Sequence, residues 1–235
     1  MPRHKIETHA HTAVVSPCGK LKPRELVEMY ARSGYSAIIT TDHLVATLPL
    51  FRGVSSWRKR VHRFFRGYRA LCREAAGTRL TVLPGFELSF AAHPGRDFLV
   101  YGIDEDTLAD MPDLCTLNPW TFRKLSSDAG ALVFQAHPFR NDRPADPAVL
   151  DGVEVFNGNP RHDSGNERAE RFAAEHGLLA ISGSDTHQAE DVARGGITLP
   201  ESPGTIAEFV EWYRESPGEI GLLVPASHRM PMISM

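Results

Sequence analysis

The sequence predicts a single α/β domain built on a largely parallel sheet or barrel, because short β-type runs alternate with longer helical ones. Two further observations agree. Several strand candidates are apolar through their middles, as strands covered on both faces are, and most of them end in residues that bind metals. The expected strands are 5–12, 36–43, 80–87, 98–103, 131–137, 152–157, 179–184 and 220–224. Helices are expected at 23–33, 57–76, 119–128, 165–176 and 205–215. Pro23 and Pro119 sit where a first-turn proline is tolerated, and Gly34 and Gly177 where a helix should stop. In the longest helix Trp57, Val61, Phe64, Phe65, Tyr68, Leu71 and Cys72 follow a helical period.

Bulk properties set the bounds. A length of 235 residues suits one domain spanning 1–235, and 42% hydrophobic with 23% charged residues is ordinary for a globular chain. The formal charge of -3 weighs against nucleic-acid polymers and membrane surfaces as partners. Cys18, Cys72 and Cys115 are odd in number and far apart, which is no disulfide framework and suits a reducing compartment. No apolar run approaches the ~18 residues of a membrane span. The first motif begins within ten residues of Met1, so a cleaved leader would destroy it, and a cytoplasmic location is expected. The tail 216–235, with Pro225, Met230, Pro231 and Met232, is expected either to cover a barrel end or to meet another subunit.

The polar chemistry gathers where the strands stop. Ile6 leads to His9 and His11, Ile38-Ile39 to Asp42 and His43, Val82-Leu83 to Glu87, Val133-Phe134 to His137, and Ala180-Ile181 to Asp185 and His187. The carboxyl ends of parallel strands converge on one mouth, where sites are built. His9 and His11 are two apart, as are Asp185 and His187, so each pair shares one face of an extended strand. A mixed imidazole and carboxylate set suits Zn²⁺, Mn²⁺ or Fe²⁺, and it exceeds what one tetrahedral ion uses. Two or three divalent ions are expected, with Glu87 able to bridge.

Five segments, His9-Ala10-His11-Thr12, Thr41-Asp42-His43, Gly85-Phe86-Glu87, Ala136-His137-Pro138 and Ser184-Asp185-Thr186-His187, resemble the PHP (polymerase and histidinol phosphatase) family of metal-dependent phosphoesterases in order and spacing. The resemblance implies a distorted (β/α)7 barrel with a bi- or trinuclear mouth. It implies that His9, His11, Glu87 and Asp185 hold a first metal, Glu87 and His137 a second, and His43 and His187 a third. Two positions depart from the family pattern. Asp97 stands where many members have a ligating histidine, with His93 its competitor. Val15-Ser16-Pro17-Cys18-Gly19 stands where a histidine or aspartate completes the third site, leaving Cys18 as a ligand or as a turn residue.

The resemblance further implies hydrolysis of a small anionic phosphate ester by a hydroxide held between the metals. No G-x-S-x-G elbow or P-loop points to another nucleophile. Asp42 is expected either to orient a ligand imidazole or bound water, or to cap its strand end. Arg140 and Arg161 are candidates to clamp phosphate, and His162 to act as general acid. Residues 44–73 carry Arg52, Arg58, Lys59, Arg60, Arg63, Arg66, Arg69 and Arg73 without a single Asp or Glu. They either gather an anionic substrate or form a solvated helix face. A metal-dependent amide hydrolase and a metal-bound regulatory module are the rival functions, and self-association stays open.

Overall fold

A computed structural model describes residues 3–225 of the chain. Ten strands form one sheet: β1 (His4–Ala10), β2 (Tyr35–Thr40), β3 (His43–Leu44), β4 (Thr81–Ser89), β5 (Asp97–Tyr101), β6 (Leu132–Gln135), β7 (Gly152–Asn157), β8 (Leu179–Gly183), β9 (Ile197–Leu199) and β10 (Gly221–Leu222). Seven α-helices accompany them: α1 (Pro23–Arg32), α2 (Trp57–Phe64), α3 (Arg66–Ala75), α4 (Glu105–Asp110), α5 (Pro119–Asp128), α6 (Asn166–His176) and α7 (Ile206–Glu215).

The sheet runs β10-β9-β1-β2-β4-β5-β6-β7-β8, with β3 paired to β4. A bridge between Ala10 and Thr186 joins the end of β1 to the segment after β8. Reciprocal backbone bonds, His11 N–H to Thr186 O (3.0 Å) and Thr186 N–H to His9 O (3.1 Å), secure that seam. The ring β1, β2, β4, β5, β6, β7, β8 is therefore a seven-stranded, distorted TIM-like barrel. Its distortion is β5, which lies antiparallel to both β4 and β6 while the other ring pairs within the sheet are parallel. That reversal brings the start of β5, not its end, to the level where its neighbours finish, with Asp97 opposite Ser89.

The opposite end of the barrel is closed by α7. Phe209 packs 5.1 Å (ring centroids) from Tyr101, and Tyr213 5.2 Å from Phe134. Together with Ile6, Ile39, Leu83 and Ile181 they make an apolar cluster beneath the polar mouth. Each inward apolar side chain removed from water contributes roughly 1.5–3 kcal/mol. Among the described residues no helix is long and apolar enough to cross a membrane.

The structure redraws some expected elements. The helix expected over 57–76 is two, because Phe65, at ψ 4°, breaks the α-helical run. Phe64 and Phe65 are both buried, and adjacent residues of an unbroken helix point about 100° apart, so the break lets both reach the core. The strand expected over 36–43 ends at Thr40 and resumes as β3, leaving Thr41 and Asp42 at the mouth. Two elements were not expected, α4 and β9. The described part of the tail pairs through β10 with β9; Met230, Pro231 and Met232 lie outside the described residues.

Candidate metal centre

The strand ends deliver their side chains to one buried cluster. The Nε2 atom of His9 lies 3.6 Å from Glu87 Oε1 and 3.5 Å from Asp185 Oδ1. His11 Nε2 lies 3.5 Å from Glu87 Oε2 and 3.4 Å from Asp185 Oδ1. His43 Nδ1 is 2.7 Å from Glu87 Oε2, and His137 Nε2 is 3.2 Å from Glu87 Oε1. The His11 ring is flanked by those of His43 and His187, with centroids 4.4 and 4.2 Å away. Three donor groups result, each with its ligand atoms within 4.8 Å of one another: His9, His11 and Asp185; His9, Glu87 and His137; and His11, His43 and His187.

These residues fit divalent ions on a specific ground. His9 Nε2 and His11 Nε2 are buried and have no hydrogen-bond partner, and Glu87 Oε2 beside them has its ion pair with His43. An unmade bond at a buried polar atom costs about 1–3 kcal/mol, so two such nitrogens facing the Glu87 and Asp185 carboxylates call for a cation. Electrostatics agree. Burial raises the Glu87 and Asp185 carboxyls, but the surrounding imidazoles outweigh it and hold both well below the ordinary range. Burial opposes a charge on His9, yet Glu154, Asp185 and Glu87 hold it well above its usual value. His11 is held low by burial and by His187 and His43.

Around the donors stands a second layer that fixes their orientation. Glu154 Oε1 lies 2.9 Å from His9 Nδ1, and since a carboxylate accepts, Nδ1 carries the proton and Nε2 is free to ligate. Its other oxygen accepts the His137 N–H (3.0 Å) and the Asn157 amide (2.9 Å). Asp42 accepts the Thr12 N–H (2.7 Å), the Thr12 hydroxyl (2.8 Å) and the Ser16 hydroxyl (2.7 Å). Ser16 Oγ in turn lies 3.3 Å from His11 Nδ1 and accepts the His43 N–H at 3.0 Å. Asp42 therefore reaches two donors through one hydroxyl. Helix α3 passes close by only because residue 67 is glycine: a Cβ there would stand 2.4 Å from Asp42 Oδ2. A Cβ on Gly183 would likewise stand 2.5 Å from His9 Cβ. His137 (φ 29°) and Asp185 (φ 51°) hold left-handed backbone, strain that clusters at functional sites.

The other expected site residues divide. Arg140 donates to Asn157 Oδ1 (2.9 Å), Ser164 Oγ (3.1 Å) and Asp185 Oδ2 (2.7 Å), and its buried Nε–H has no partner. Arg161 is committed elsewhere: Nε and Nη2 both donate to Asp191, at 3.3 and 2.6 Å. Asp191 also accepts the N–H groups of His187 and Gln188, so Arg161 braces the His187 loop rather than offering a free phosphate clamp. His162 lines a cleft of about 620 Å³ with Asn157, Asn159, Ser164 and Arg194. Partial burial and the nearby Arg140 lower its pKa. Asp97 accepts the Ser89 hydroxyl and falls outside the three donor groups. Burial and the charge of Glu87 raise its pKa. His93 sits in the loop before β5, apart from the cluster. Cys18 hydrogen-bonds with both His187 and His43; burial opposes its ionisation, but these bonds bring its thiol to about 6. Three of the eight residues of the basic run are ion-paired, Arg58 with Asp110, Arg60 with Asp113 and Arg69 with Glu105, as on a solvated helix face.

A family model described as PHP-associated matches residues 163–216, a segment that holds Asp185, His187 and Asp191. That match and the five motifs, now assembled at one mouth, support a relationship to the PHP family. The matched segment and the donor clusters together support a metal-dependent hydrolase. Among solved structures, the chain is similar to PsfC from Pseudomonas syringae PB-5123 (TM-score 0.68, 16% identity, covering 97% of this chain and 93% of that one). It is similar to the lesion-specific endonuclease PfuEndoQ from Pyrococcus furiosus (TM-score 0.62, 14% identity, 94% of this chain and 58% of that one). A third similar structure is an amidohydrolase from Chromobacterium violaceum with bound sulfate and no metal (TM-score 0.54, 18% identity, 95% and 99%). At these identities the likeness is one of fold, and it spans neighbours of different activities. No curated protein matches the chain.

Proposed function

We propose that this protein hydrolyses a small phosphate ester at the barrel mouth in a metal-dependent reaction. One observation supports the reading: two buried, unpartnered imidazole nitrogens, His9 Nε2 and His11 Nε2, face the Glu87 and Asp185 carboxylates and share the mouth with an arginine whose Nε–H is also free. Two or three divalent ions, drawn from zinc, manganese and iron, would be held by His9, His11 and Asp185, by Glu87 and His137, and by His43 and His187 with His11. Asp97 would join Glu87 and His137 by giving up its bond from Ser89. Bound there, the ions would supply Lewis-acid charge and an activated water.

The chain's own groups do the remaining work. Glu154 fixes the His9 tautomer, and Asp42 through Ser16 fixes His11. Arg140, its Nη2 held by Asn157, Ser164 and Asp185, donates its free Nε–H to a phosphoryl oxygen. The cleft beside His162 receives the leaving group. His162 is neutral beside Arg140, and an anionic substrate there raises its proton affinity, which readies it as the acid for the leaving oxygen.

The test is an assay of chelator-stripped and metal-replenished protein with p-nitrophenyl phosphate, a bis-ester and a panel of small amides. Phosphate release restored by Zn²⁺, Mn²⁺ or Fe²⁺ is expected. Amide turnover without phosphate release would overturn the reading.

A further inference from the structure

We propose that Cys18 is a ligand of the third ion, completing a donor set of one thiolate with the imidazoles of His11, His43 and His187. The proposal rests on the metal-centre reading above but not on the choice of substrate.

Three observations place it. The donor atoms of His11, His43 and His187 lie within 4.8 Å of one another. Among them His11 is wholly buried and its Nε2 has no partner. Cys18 is exposed at the rim of this group, outside the 4.8 Å set itself, and its thiol hydrogen-bonds both of the other two imidazoles. The loop that carries Cys18 is built rather than draped. Ser16 N–H donates to Thr12 O (3.1 Å), Gly19 N–H to Ser16 O (3.0 Å), and Lys20 N–H to His187 O (2.7 Å). The last bond ties the loop to the segment that carries His187. A Cβ on Gly19 would meet the Thr12 carbonyl at 2.8 Å, so the turn next to Cys18 closes tightly on the strand end. The other cysteines have different surroundings: Cys115 is buried and points its thiol at Leu44 O, 3.6 Å away, and Cys72 neighbours Tyr68.

The consequence is selectivity. A thiolate with three imidazoles is a soft set that prefers zinc to manganese, whereas the groups containing Glu87 and Asp185 accept harder ions. The third position therefore chooses a different metal from the other two.

The experiment loads metal-free protein with Co²⁺ and, separately, with zinc. Wild type is expected to show the near-ultraviolet thiolate-to-cobalt charge-transfer band, which Cys18→Ser loses and Cys72→Ser keeps. Zinc content should fall by one ion per chain in Cys18→Ser and return in Cys18→Asp without the band. That recovery also shows that the variants fold. Absence of the band from wild type, or an unchanged zinc count and affinity in Cys18→Ser, overturns the proposal. If no ion binds at all, the metal centre fails and Cys18 with it. If the band and the count stand but no phosphate is released, only the proposed reaction fails.

Discussion

Two glutamates of this barrel are equally buried, at 0% exposure, and chemically opposite. Glu7, on β1, is saturated with hydrogen bonds. Its Oε1 accepts the N–H groups of Thr8 (2.9 Å), His9 (2.8 Å) and Ser184 (2.9 Å), and its Oε2 accepts the hydroxyls of Tyr30 (2.8 Å) and Ser184. No cation is among these partners, and burial raises its pKa against the pull of those bonds. Glu87, on β4, has imidazoles around it, His43 at one oxygen and His137 at the other, and a pKa held far down. Burial alone separates nothing. What separates them is whether the surrounding chain satisfies the carboxylate. Glu7 is a clamp that ties β1 to the end of β8, and Glu87 waits for something the chain does not supply.

The contrast can be broken first at Glu87. Glu87→Ala should reduce turnover at least about a thousandfold, ~4 kcal/mol in transition-state stabilisation, with loss of bound metal by elemental analysis. In the metal-free state the variant leaves the buried His9, His43 and His137 imidazoles without their carboxylate, so its urea midpoint should fall below wild type. A variant that keeps full metal content would end the ligand assignment. Glu7→Ala should act on stability and not on the metal count. It leaves three buried backbone N–H groups without an acceptor, at about 1 kcal/mol or more each, so stability should fall by about 3 kcal/mol. Urea titration measures the loss; unchanged stability would show that the clamp is no clamp.

Glu154 lies between these extremes and sharpens the comparison. It is satisfied by protein donors, as Glu7 is, yet one of them is the imidazole of His9. Glu154→Gln should weaken metal binding by roughly 10- to 100-fold, the usual effect of removing a carboxylate behind a ligating histidine, with the fold retained. Metal titration read by isothermal calorimetry checks it. An unchanged affinity would place Glu154 with Glu7 as a structural group.

The donors could be read from the sequence because a parallel strand end is a local feature: an apolar run, then His, Asp or Glu. What could not be read depends on partners distant along the chain. Arg161 looked free until Asp191 arrived from the loop after β8. The arginine run stood open between a substrate funnel and a solvated face because Asp110, Asp113 and Glu105, which pair three of its members, come from α4 and the segment beyond. Glu154 was missed although it left a trace, a lone charge in the middle of the otherwise apolar β7. The antiparallel course of β5 left none, since a strand's direction is set by its neighbours and not by its own pattern.

The smallest expected effect is a difference in slope. Glu7 has a raised pKa in the folded chain, so between its ordinary value of 4.5 and the raised value the folded state binds more protons than the unfolded state. Stability from this group is then fully present below 4.5 and is lost as pH rises through the folded value. Glu7→Gln abolishes that titration while leaving the metal-site carboxylates the same in both proteins. In chelator-stripped protein the wild type should therefore gain stability relative to the glutamine variant as the pH falls through this window, by about 1.4 kcal/mol for each pH unit that the window spans. Urea midpoints measured across the window decide it. Parallel curves would mean that the donors around Glu7 compensate its burial in full, and the two glutamates would then differ only in what they bind.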